Sequence, residues 1–398
     1  MKKRLLIILL ILLFIIIIPV SYHYYRIATA KKIVVLKKEK VVEVYSRSRI
    51  SDFIESINGK LESDDLVDTS KVGKHIVEFT YTNDDNIKVD YSFEIKVVDT
   101  TPPIVGVSNK IITTDYDGKL QNEFFCGDNY DDKPKCKVIG NYDTSKAGKY
   151  NLTFKATDKS KNETTRRFTL TVKEPVKKSA DEKEISTEPV YKKYEDIVKK
   201  YKNKNTKIGI DISHWQGDIN FKKIKKSGVE FAFVRVGSEN KDGEFFVDKK
   251  FHENMKGLRE NKIPVGIYYY SYADSKEKAK KEAKWVIKQI KKYDIDLPVV
   301  FDWENWNHYR EYNLSFHSLT EVAESFLNTI ESAGYDGMLY SSKYYLEEIW
   351  YPTKYKIWLA HYTDETNYKG KYKVWQMCSD AKIDGIPDNL VDVNIMIK

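Results

Sequence analysis

The segment Val299-Val300-Phe301-Asp302-Trp303-Glu304 says more about the architecture than any other part of the chain. A short apolar run of this kind is typical of a buried β-strand. It ends in two carboxylates spaced two residues apart, Asp302 and Glu304. Because side chains alternate between the two faces of a strand, both acids should lie on one face, with Cα atoms about 6.5–7 Å apart.

Two carboxyl groups at about this separation suit the hydrolysis of a glycosidic bond. One group is held protonated as an acid, and the other is ionised beside the sugar. The Cα spacing does not fix the distance between the carboxyl groups, so retention and inversion of the anomeric configuration both stay open. A solvated strand end is the alternative explanation of the pair, because charged residues are common there.

Beyond residue 206, short apolar runs alternate with helical patterns. The strand-like runs are Ile208–Ser213, Phe231–Val236, Pro264–Tyr270, Leu297–Asp302, Gly337–Tyr340, Lys356–Ala360, Lys373–Gln376 and Val391–Ile397. Helices fit between the first six runs, whereas the last three leave little room for them. The pattern predicts an incomplete (β/α)5β3 TIM-like barrel of the α/β class over residues 207–398, a fold whose active sites lie at the C-terminal ends of the strands.

The helical patterns carry their own start and stop signals. In the clearest, Leu319–Ala333, Ser318 and Glu321 form a capping box, and Gly334 is a stop. A second helix is predicted over Ser275–Tyr293. These signals support a barrel in which helices follow the early strands.

Further acids lie in the predicted strands. Asp211 is near the end of the first run, and Asp392 is in the last. Acidic side chains are costly to bury unpaired, so we expect both to join Asp302 and Glu304 at one mouth of the barrel. For Asp211 or Asp392 alone, a structural hydrogen-bond acceptor is the alternative.

Aromatic residues accompany the acids, and aromatic rings can stack on the apolar C–H faces of sugars. Alternation places Tyr268 and Tyr270 on the face opposite to that of Tyr269. Gln376 and Asn394 could bind hydroxyl or amide groups. The predicted substrate-binding residues are Tyr268, Tyr270, Trp306, Trp358 and Gln376. Any one of these rings could instead belong to the core.

Six motifs occur in an order that resembles the family 25 glycoside hydrolases, the lysozymes also called N-acetylmuramidases. The motifs are Asp211-Ile212-Ser213-His214-Trp215-Gln216-Gly217, Gly266-Ile267-Tyr268-Tyr269-Tyr270, Asp302-Trp303-Glu304, Trp358-Leu359-Ala360-His361-Tyr362, Trp375-Gln376 and Val391-Asp392-Val393-Asn394. The resemblance covers about Lys207–Lys398. It implies cleavage of the β-1,4 bond between N-acetylmuramic acid and N-acetylglucosamine in peptidoglycan, with no metal or cofactor.

The same resemblance implies roles for the acids. Glu304 looks like the general acid, and Asp302 looks like its partner, either a nucleophile or a carboxylate that stabilises an oxocarbenium-like or oxazolinium-like species. Asp211 and Asp392 look like supporting acids that bind substrate and tune the pair. Tyr269 departs from the family, in which many members carry His or Trp at this position.

The first half of the chain contains a repeat. Asp68–His75 matches Asp143–Tyr150, and alternating apolar and polar residues follow each copy. This predicts two all-β domains, residues 31–98 and 99–173, which meet at the Pro-containing junction Val98–Ile104. Both resemble the bacterial immunoglobulin-like repeats of surface proteins, which implies sandwich folds and a role as spacer or adhesive module.

Residues 1–30 have the features of an export signal. A cationic start, Met1–Arg4, precedes the apolar run Leu5–Ile18. We expect an uncleaved single-pass transmembrane helix spanning about Leu5–Tyr25, with the catalytic domain outside the cell membrane. Cleavage after the small residues Ala28–Ala30, which would release a secreted protein, is the alternative.

The chain's 398 residues carry a formal net charge of +8, and 32% of them are charged. Such a balance suits contact with a polyanionic cell wall or membrane. The Lys residues are scattered rather than clustered with stacking aromatics, so no nucleic-acid partner is expected. Residues 174–206 are charged and poor in apolar residues, which predicts a linker, with a short helix within Tyr191–Tyr201.

The three cysteines bear on redox state and metals. Cys126 and Cys136 are ten residues apart in a polar stretch, so an extracellular disulfide is possible, and two free thiols are the alternative. Cys378 is expected to be a small buried apolar residue. No Cys/His spacing indicates a zinc site.

Two other functions compete with glycoside hydrolysis. The barrel could be a non-catalytic wall-binding or adhesion module, although the full acid set argues against this. It could also be a metal-dependent hydrolase that uses Asp302 and Glu304 with His214 or His361. No paired-histidine spacing supports a metal, and both histidines are expected to be structural or to support the acids.

Overall fold

The chain divides into two units in its computed structural model, residues 1–100 and residues 101–398. The structure describes residues 2–175 and 191–398. The elements of the first unit are α1 (Lys2–Thr29), β1 (Val34–Leu36), β2 (Val41–Glu43), β3 (Ile54–Ile57), β4 (Gly59–Leu61), β5 (Gly73–Asn83) and β6 (Lys88–Val98). One sheet has the strand order β2-β6-β5-β4, and β1 pairs with β3.

Helix α1 covers most of the segment predicted to be a membrane anchor. Among residues 2–175 and 191–398, however, no helix combines the length and the apolar character required of a membrane span. The transmembrane helix expected within residues 1–30 is therefore not confirmed.

The second unit begins with another small β-domain. Its strands are β7 (Ile104–Gly106), β8 (Lys110–Thr113), β9 (Phe125–Gly127), β10 (Lys135–Ile139), β11 (Gly148–Thr157) and β12 (Glu163–Lys173). Their order is β10-β11-β12-β8, with β7 paired to β9. The sequence repeat has a structural counterpart, because Gly73 begins β5 and Gly148 begins β11. Both segments consist of strands as predicted, while their immunoglobulin-like identity stays a prediction.

Side-chain alternation builds the core of this second β-domain. Along β11, Leu152, Phe154 and Ala156 are buried, and the residues between them are more exposed. Cys126 and Cys136 form a disulfide, which was the first alternative, and are not two free thiols. The disulfide joins β9 to β10.

The linker prediction needs a correction at its C-terminal end. Residues 176–190 lie outside the described residues, but β13 (Lys192–Lys193) and α2 (Tyr194–Tyr201) follow them. Strand β13 pairs with a barrel strand, and Tyr194 and Ile197 are buried in the barrel core. These two side chains are three residues apart, so they share one face of a helix and dock it on the barrel despite the charged surroundings.

The rest of the second unit is the barrel. Its elements are β14 (Thr206–Ile212), α3 (Phe221–Lys226), β15 (Ala232–Glu239), β16 (Phe245–Val247), α4 (Phe251–Glu260), β17 (Val265–Tyr270), α5 (Lys276–Ile290), β18 (Val299–Asp302), α6 (Tyr309–Tyr312), α7 (Phe316–Ser332), β19 (Gly337–Ser342), α8 (Lys343–Glu348), β20 (Lys356–Ala360), β21 (Val374–Ile383) and β22 (Ile386–Ile397). Helices follow the first five barrel strands, and the last three strands lack them, as the (β/α)5β3 pattern predicts.

The strand ring is closed, although the barrel lacks helices after its last strands. The order β21-β20-β19-β18-β17-β15-β14-β22 is completed by pairing between β21 and β22. Strand β22 runs antiparallel to both of its neighbours. Because antiparallel strands need only a tight turn, here at Gly385 with φ +107°, no crossover helix is required.

Apolar side chains pack on both sides of the closed ring of strands, and this packing sets the orientation of the site residues. Val300 packs inside the barrel with Phe233 and Trp358, whereas Val299 and Phe301 pack between the strands and the helices. Alternation gives Asp302 the same orientation as Val300. The end of β18 therefore delivers Asp302 into the mouth of the barrel.

Candidate active site

The acid pair lies where β18 gives way to a loop. The strand ends at Asp302, so Glu304 belongs to the loop rather than to the strand, which corrects the expectation of two acids on one strand face. Alternation nevertheless continues, because Trp303 is fully buried and its Nε1 donates to the Ala273 carbonyl at 3.2 Å. The backbone N–H of Trp306 donates to the Glu304 carbonyl at 2.7 Å, which fixes the turn.

Asp211 is held by amide donors at the same mouth. Its Oδ2 accepts hydrogen bonds from Gln376 Nε2 at 3.0 Å and from Asn394 Nδ2 at 2.7 Å. Asn394 is oriented in turn by Trp358, whose Nε1 donates to its Oδ1 at 2.7 Å. Three strands therefore cooperate to aim one carboxylate into the barrel mouth.

Two tyrosines orient Gln376. Its Oε1 accepts from Tyr340 Oη at 2.9 Å and from Tyr362 Oη at 3.1 Å, so its Nε2 is left to face Asp211. The sequence reasoning did not select Tyr340. The available signal was its position at the end of a predicted strand, where the fold places functional side chains.

Asp392 lies opposite Asp211 in the antiparallel pairing of β22 with β14. The charge of Asp211 and that of Glu304 both raise the pKa of Asp392, and Asp211 likewise raises that of Asp302. The structure thus brings together all four acids that the sequence analysis selected.

The Asp302–Glu304 pair is arranged to hold a proton. Burial and the neighbouring charge of Glu304 raise the pKa of Asp302 well above its usual value, and burial raises the pKa of Glu304. Asp302 is 5% exposed, and its Oδ1 makes no hydrogen bond with the described residues. Two adjacent carboxyl groups in such surroundings cannot both ionise easily, which favours a form in which the pair keeps one proton.

The two supporting acids are also perturbed. Burial raises the pKa of Asp211 to about 6, although hydrogen bonds from Asn394 and Gln376 oppose the shift. Burial, together with the charges of Asp211 and Glu304, raises the pKa of Asp392 to about 8. The cluster therefore favours forms with fewer negative charges than its four acids would carry in water.

Removing Asp392 should flatten the pH dependence of stability. Its pKa rises from 3.8 to about 8 on folding, so the folded state holds the proton more tightly, and stability falls as pH rises across that window. We expect Asp392→Asn to reduce the drop in Tm between pH 5 and pH 8, measured by scanning calorimetry. Glu282, whose pKa burial also raises to about 8, leaves a residual slope. Identical Tm profiles for variant and wild type would contradict the shift.

The third barrel strand places its tyrosines as alternation requires. Burial, together with the charges of Asp211 and Asp302, raises the pKa of Tyr268, so this residue faces the acids. Burial and the charges of Asp302 and Glu304 likewise raise the pKa of Tyr270, which faces that pair. Tyr269 is fully buried in the layer between strands and helices. The departure from the family pattern at Tyr269 therefore lies away from the acids.

Three of the predicted substrate-binding residues are buried. Trp306 is 8% exposed and stacks on Tyr345 with ring centroids 3.7 Å apart. Trp358 is 2% exposed and stacks on Phe233 at 4.5 Å. Gln376 is also buried, and its amide is engaged by protein groups. These side chains pack beneath the acids and the loop, so they expose little surface to a sugar.

Exposed rings are found elsewhere at the mouth. Tyr362 is 56% exposed, and its pKa is raised by burial of its hydroxyl end and by the charges of Asp392 and Asp211. Trp215 is 68% exposed in the segment that follows β14. Both residues belong to motifs found in the sequence, and these two rings are better placed for sugar stacking than the buried tryptophans.

The histidines have protein partners. His214 Nδ1 lies 2.9 Å from Asp248 Oδ2 and also contacts Arg235 Nη2. Arg235 donates to the same Asp248 oxygen from Nε at 2.9 Å and from Nη2 at 2.6 Å, and its guanidinium disfavours a metal cation beside His214. His361 Nδ1 pairs with Thr366 Oγ1 at 2.9 Å. The sequence analysis did not select Arg235. The feature that could have indicated it is a charged residue within the apolar run Phe231–Val236.

Comparisons with known proteins find similar sequences and structures. The sequence model of glycosyl hydrolases family 25 matches residues 210–386. An uncharacterized protein of Escherichia coli (strain K12), YegX, is 30% identical over 162 residues, which are 39% of this chain and 56% of YegX. Lysozyme M1 of Streptomyces globisporus is 33% identical over 63 residues, 16% of this chain and 20% of the lysozyme.

Among solved structures, a family 25 glycosyl hydrolase from Bacillus anthracis is similar to this chain. Its sequence identity is 22%, the match covers 49% of this chain and 91% of the other, and the TM-score is 0.43. The chain spans about half the length of the curated YegX proteins it matches. The family match therefore concerns the barrel and not the whole chain.

Proposed function

We propose that the protein is a peptidoglycan hydrolase of the lysozyme type, because the sequence model of glycosyl hydrolases family 25 matches residues 210–386. It cleaves the β-1,4 bond between N-acetylmuramic acid and N-acetylglucosamine. The observation that carries the proposal is the acid cluster at the barrel mouth, in which Asp302 and Glu304 share surroundings that favour one proton between them.

The chemistry follows from that proton. Glu304, on the open loop, donates it to the glycosidic oxygen as the bond to the leaving sugar breaks. Positive charge then develops at the anomeric carbon, where the Asp302 carboxylate stabilises it or forms a bond to it, and a water molecule that gives a proton to the ionised Glu304 attacks the same carbon to complete the hydrolysis. Proton loss leaves two neighbouring carboxylates, and the new cation offsets their repulsion. Asp211 and Asp392 belong to the same cluster and support the pair and the substrate.

Product analysis tests the proposal directly. Purified full-length protein is incubated with peptidoglycan, and the released fragments are analysed by mass spectrometry. Reducing-end N-acetylmuramic acid supports the assignment, whereas reducing-end N-acetylglucosamine rejects the specific bond. Absence of any release from dye-labelled peptidoglycan would favour a non-catalytic wall-binding protein.

Tyr362 should contribute to substrate binding through its exposed ring. We expect Tyr362→Ala to raise KM about three- to tenfold, the range of a single aromatic contact, with a smaller effect on kcat. Tyr362→Phe is the matched control, because it keeps the ring and loses only the hydrogen bond to Gln376. Initial rates on soluble glycan fragments measure both variants. An unchanged KM in Tyr362→Ala would contradict a sugar contact.

We also propose that the protein acts outside the cell membrane. Its support is the cationic start and apolar run of residues 1–30, together with the Cys126–Cys136 disulfide, since such bonds persist in oxidising compartments. Membrane attachment by an uncleaved segment is our preferred form, and secretion after cleavage is the other. Cell fractionation and N-terminal sequencing of the mature protein separate them, and purely cytoplasmic protein would refute export.

A further inference from the structure

Strand β9 of the second β-domain rests on the barrel beside the acid pair. It has only three residues, and the disulfide at its central residue, Cys126, ties it to β10. Cys126 is 1% exposed and packs in the core of the β-domain, as does Phe124 just before the strand. Phe125 and Gly127 alternate with these residues and therefore face the other way, toward the barrel.

Phe125 enters an aromatic cluster of the barrel. Its ring lies parallel to Phe316, with an interplanar angle of 10° and centroids 6.3 Å apart. It also lies 5.3 Å from Tyr309 and 6.5 Å from Trp306. Such offset and edge-to-face arrangements are favourable beyond the burial of area, so Phe125 is an integral member of the cluster.

Gly127 shows how closely the backbone of β9 approaches the aromatic rings of the barrel. A Cβ atom at this position would lie 2.5 Å from a ring carbon of Phe316 and 2.7 Å from one of Tyr309. Both distances are far below normal van der Waals contact. The β-domain therefore fits against these two barrel rings only with glycine at position 127.

The loop closed by the disulfide also caps a barrel helix. The amide of Phe316, in the first turn of α7, donates to the Asp128 carbonyl at 2.8 Å. The amide of Ser315 donates to Asp132 Oδ1 at 3.0 Å. The first amides of a helix have no partner within it, and a carboxylate near this end also interacts favourably with the helix dipole. The β-domain thus supplies part of the N-terminal cap of α7.

The aromatic cluster leads directly to the general acid. Trp306 is bonded through its amide to the Glu304 carbonyl, and its ring meets Trp303 at 4.8 Å on the other side of Glu304. Glu304 therefore sits on a short turn whose two flanking rings are fixed by packing. One face of that packing is completed by Phe125.

We propose that the second β-domain is a positioning element of the active site, in which Phe125 and Gly127 hold the aromatic cluster that sets the position of Glu304. Phe125 is a positioning residue, because it acts through Trp306 and touches no substrate in this arrangement. The proposal rests on the proposed peptidoglycan hydrolysis for its kinetic consequences and on the contacts alone for its structural ones.

Gly127→Ala in the full-length chain tests the proposal. The new methyl group must push the β-domain away from Phe316 and Tyr309, and a displacement of about 1 Å at a catalytic group can lower the rate up to a hundredfold. We expect kcat to fall about ten- to a hundredfold with KM changed less than twofold. Gly148→Ala is the matched control, since its Cβ would meet only Tyr150 at 3.7 Å, and it should keep wild-type kinetics. Wild-type kcat in Gly127→Ala overturns the proposal.

A second pair of variants guards against simple misfolding. Phe125→Ala should also lower kcat, and Phe125→Leu, which restores apolar volume without the ring, should recover part of the loss. Phe124→Leu perturbs the neighbouring β-domain core, where Phe124 contacts Phe168 at 4.7 Å, and should leave kcat unchanged. Equal losses in Phe124→Leu and Phe125→Leu would mean that general destabilisation explains the effect, which overturns the proposal.

Hydrogen exchange separates this inference from the proposed function. In Gly127→Ala, the amides of Ser315 and Phe316 should exchange at least tenfold faster than in wild type or in Gly148→Ala, without any substrate present. If the wild type proves inactive on peptidoglycan but this difference is seen, the proposed function fails while the positioning contact stands. Unchanged exchange at both amides overturns the positioning contact whatever the activity.

Discussion

Glu304→Gln should lower the rate of peptidoglycan hydrolysis by about 10²- to 10⁴-fold, the range supplied by a positioned general acid. Glutamine keeps the shape of the side chain, but its amide cannot give a proton to the glycosidic oxygen. The fold should be unaffected, because Glu304 lies in an exposed turn beyond the end of β18.

The control for this variant is Glu311→Gln. Glu311 is an exposed acid of α6 that pairs with His308 at 3.1 Å, and losing its charge should leave turnover unchanged. Dye release from labelled peptidoglycan measures activity, and circular dichroism with a thermal melt checks the fold. Near-normal turnover by Glu304→Gln would reject the assignment of the acid.

The second large effect is expected for Asp302→Asn, which should lower the rate about 10²- to 10³-fold while raising Tm. The rate falls because the anion that faces the anomeric carbon is gone. Stability rises because the folded state disfavours ionisation of Asp302, whose pKa burial and Glu304 raise well above the usual value, so at pH 7 a neutral amide avoids that cost. The new N–H group can also donate to Glu304.

Asp392→Asn is the matched comparison for this variant. It removes a carboxyl from the same cluster, also with a raised pKa, and should slow the reaction only about tenfold, because Asp392 supports the cluster and gives no proton to the leaving group. Combining Glu304→Gln with Asp302→Asn should cost little more than Glu304→Gln alone, since the two groups act as a unit. A rise in kcat in Asp302→Asn would contradict the shared-proton mechanism. So would a double variant whose loss of activity combines the full losses of Glu304→Gln and Asp302→Asn.

Strand positions in the barrel were predictable because each strand is buried on both faces and therefore reads as a continuous apolar run. The run before Asp302 matches β18, and the late runs without intervening helices match β20, β21 and β22. The direction of β22 was not predictable, since an apolar run has no polarity. Only its pairing with β14 and β21 in the folded barrel shows that this strand is antiparallel to its neighbours.

The start of α7 illustrates a local signal overridden by distant contacts. Ser318 and Glu321 have the spacing of a capping box, yet the helix begins at Phe316, and Ser315 is its N-cap. Ser315 Oγ accepts from the amide of Ser318 at 3.1 Å. The earlier start is possible because a loop of another domain supplies partners for the first amides, and no pattern within the helix records that supply.

For the aromatic residues, too, the sequence predicted some positions and not others. Alternation put Tyr268 and Tyr270 on the face opposite to that of Tyr269, and in the structure both lie close enough to the acids for the acids' charges to raise their pKa values. The roles of Trp306 and Trp358 as sugar platforms stay predictions, and both side chains are buried in the structure. A tryptophan next to an acid has the same sequence signature whether it faces solvent or packs beneath the site.

The sequence by itself determined which acids lie in or next to buried strands and toward which face Asp302 points, because periodicity two and the cost of burying charge are properties of the local chain. Only the tertiary structure decided how those acids share protons and what holds Glu304 in place. Both depend on groups brought together from segments far apart in the chain: Asn394 and Gln376 around Asp211, and Phe125 of the β-domain against Trp306. Burial and charge at a point in space are sums over such neighbours, and the linear order of residues does not contain those distances.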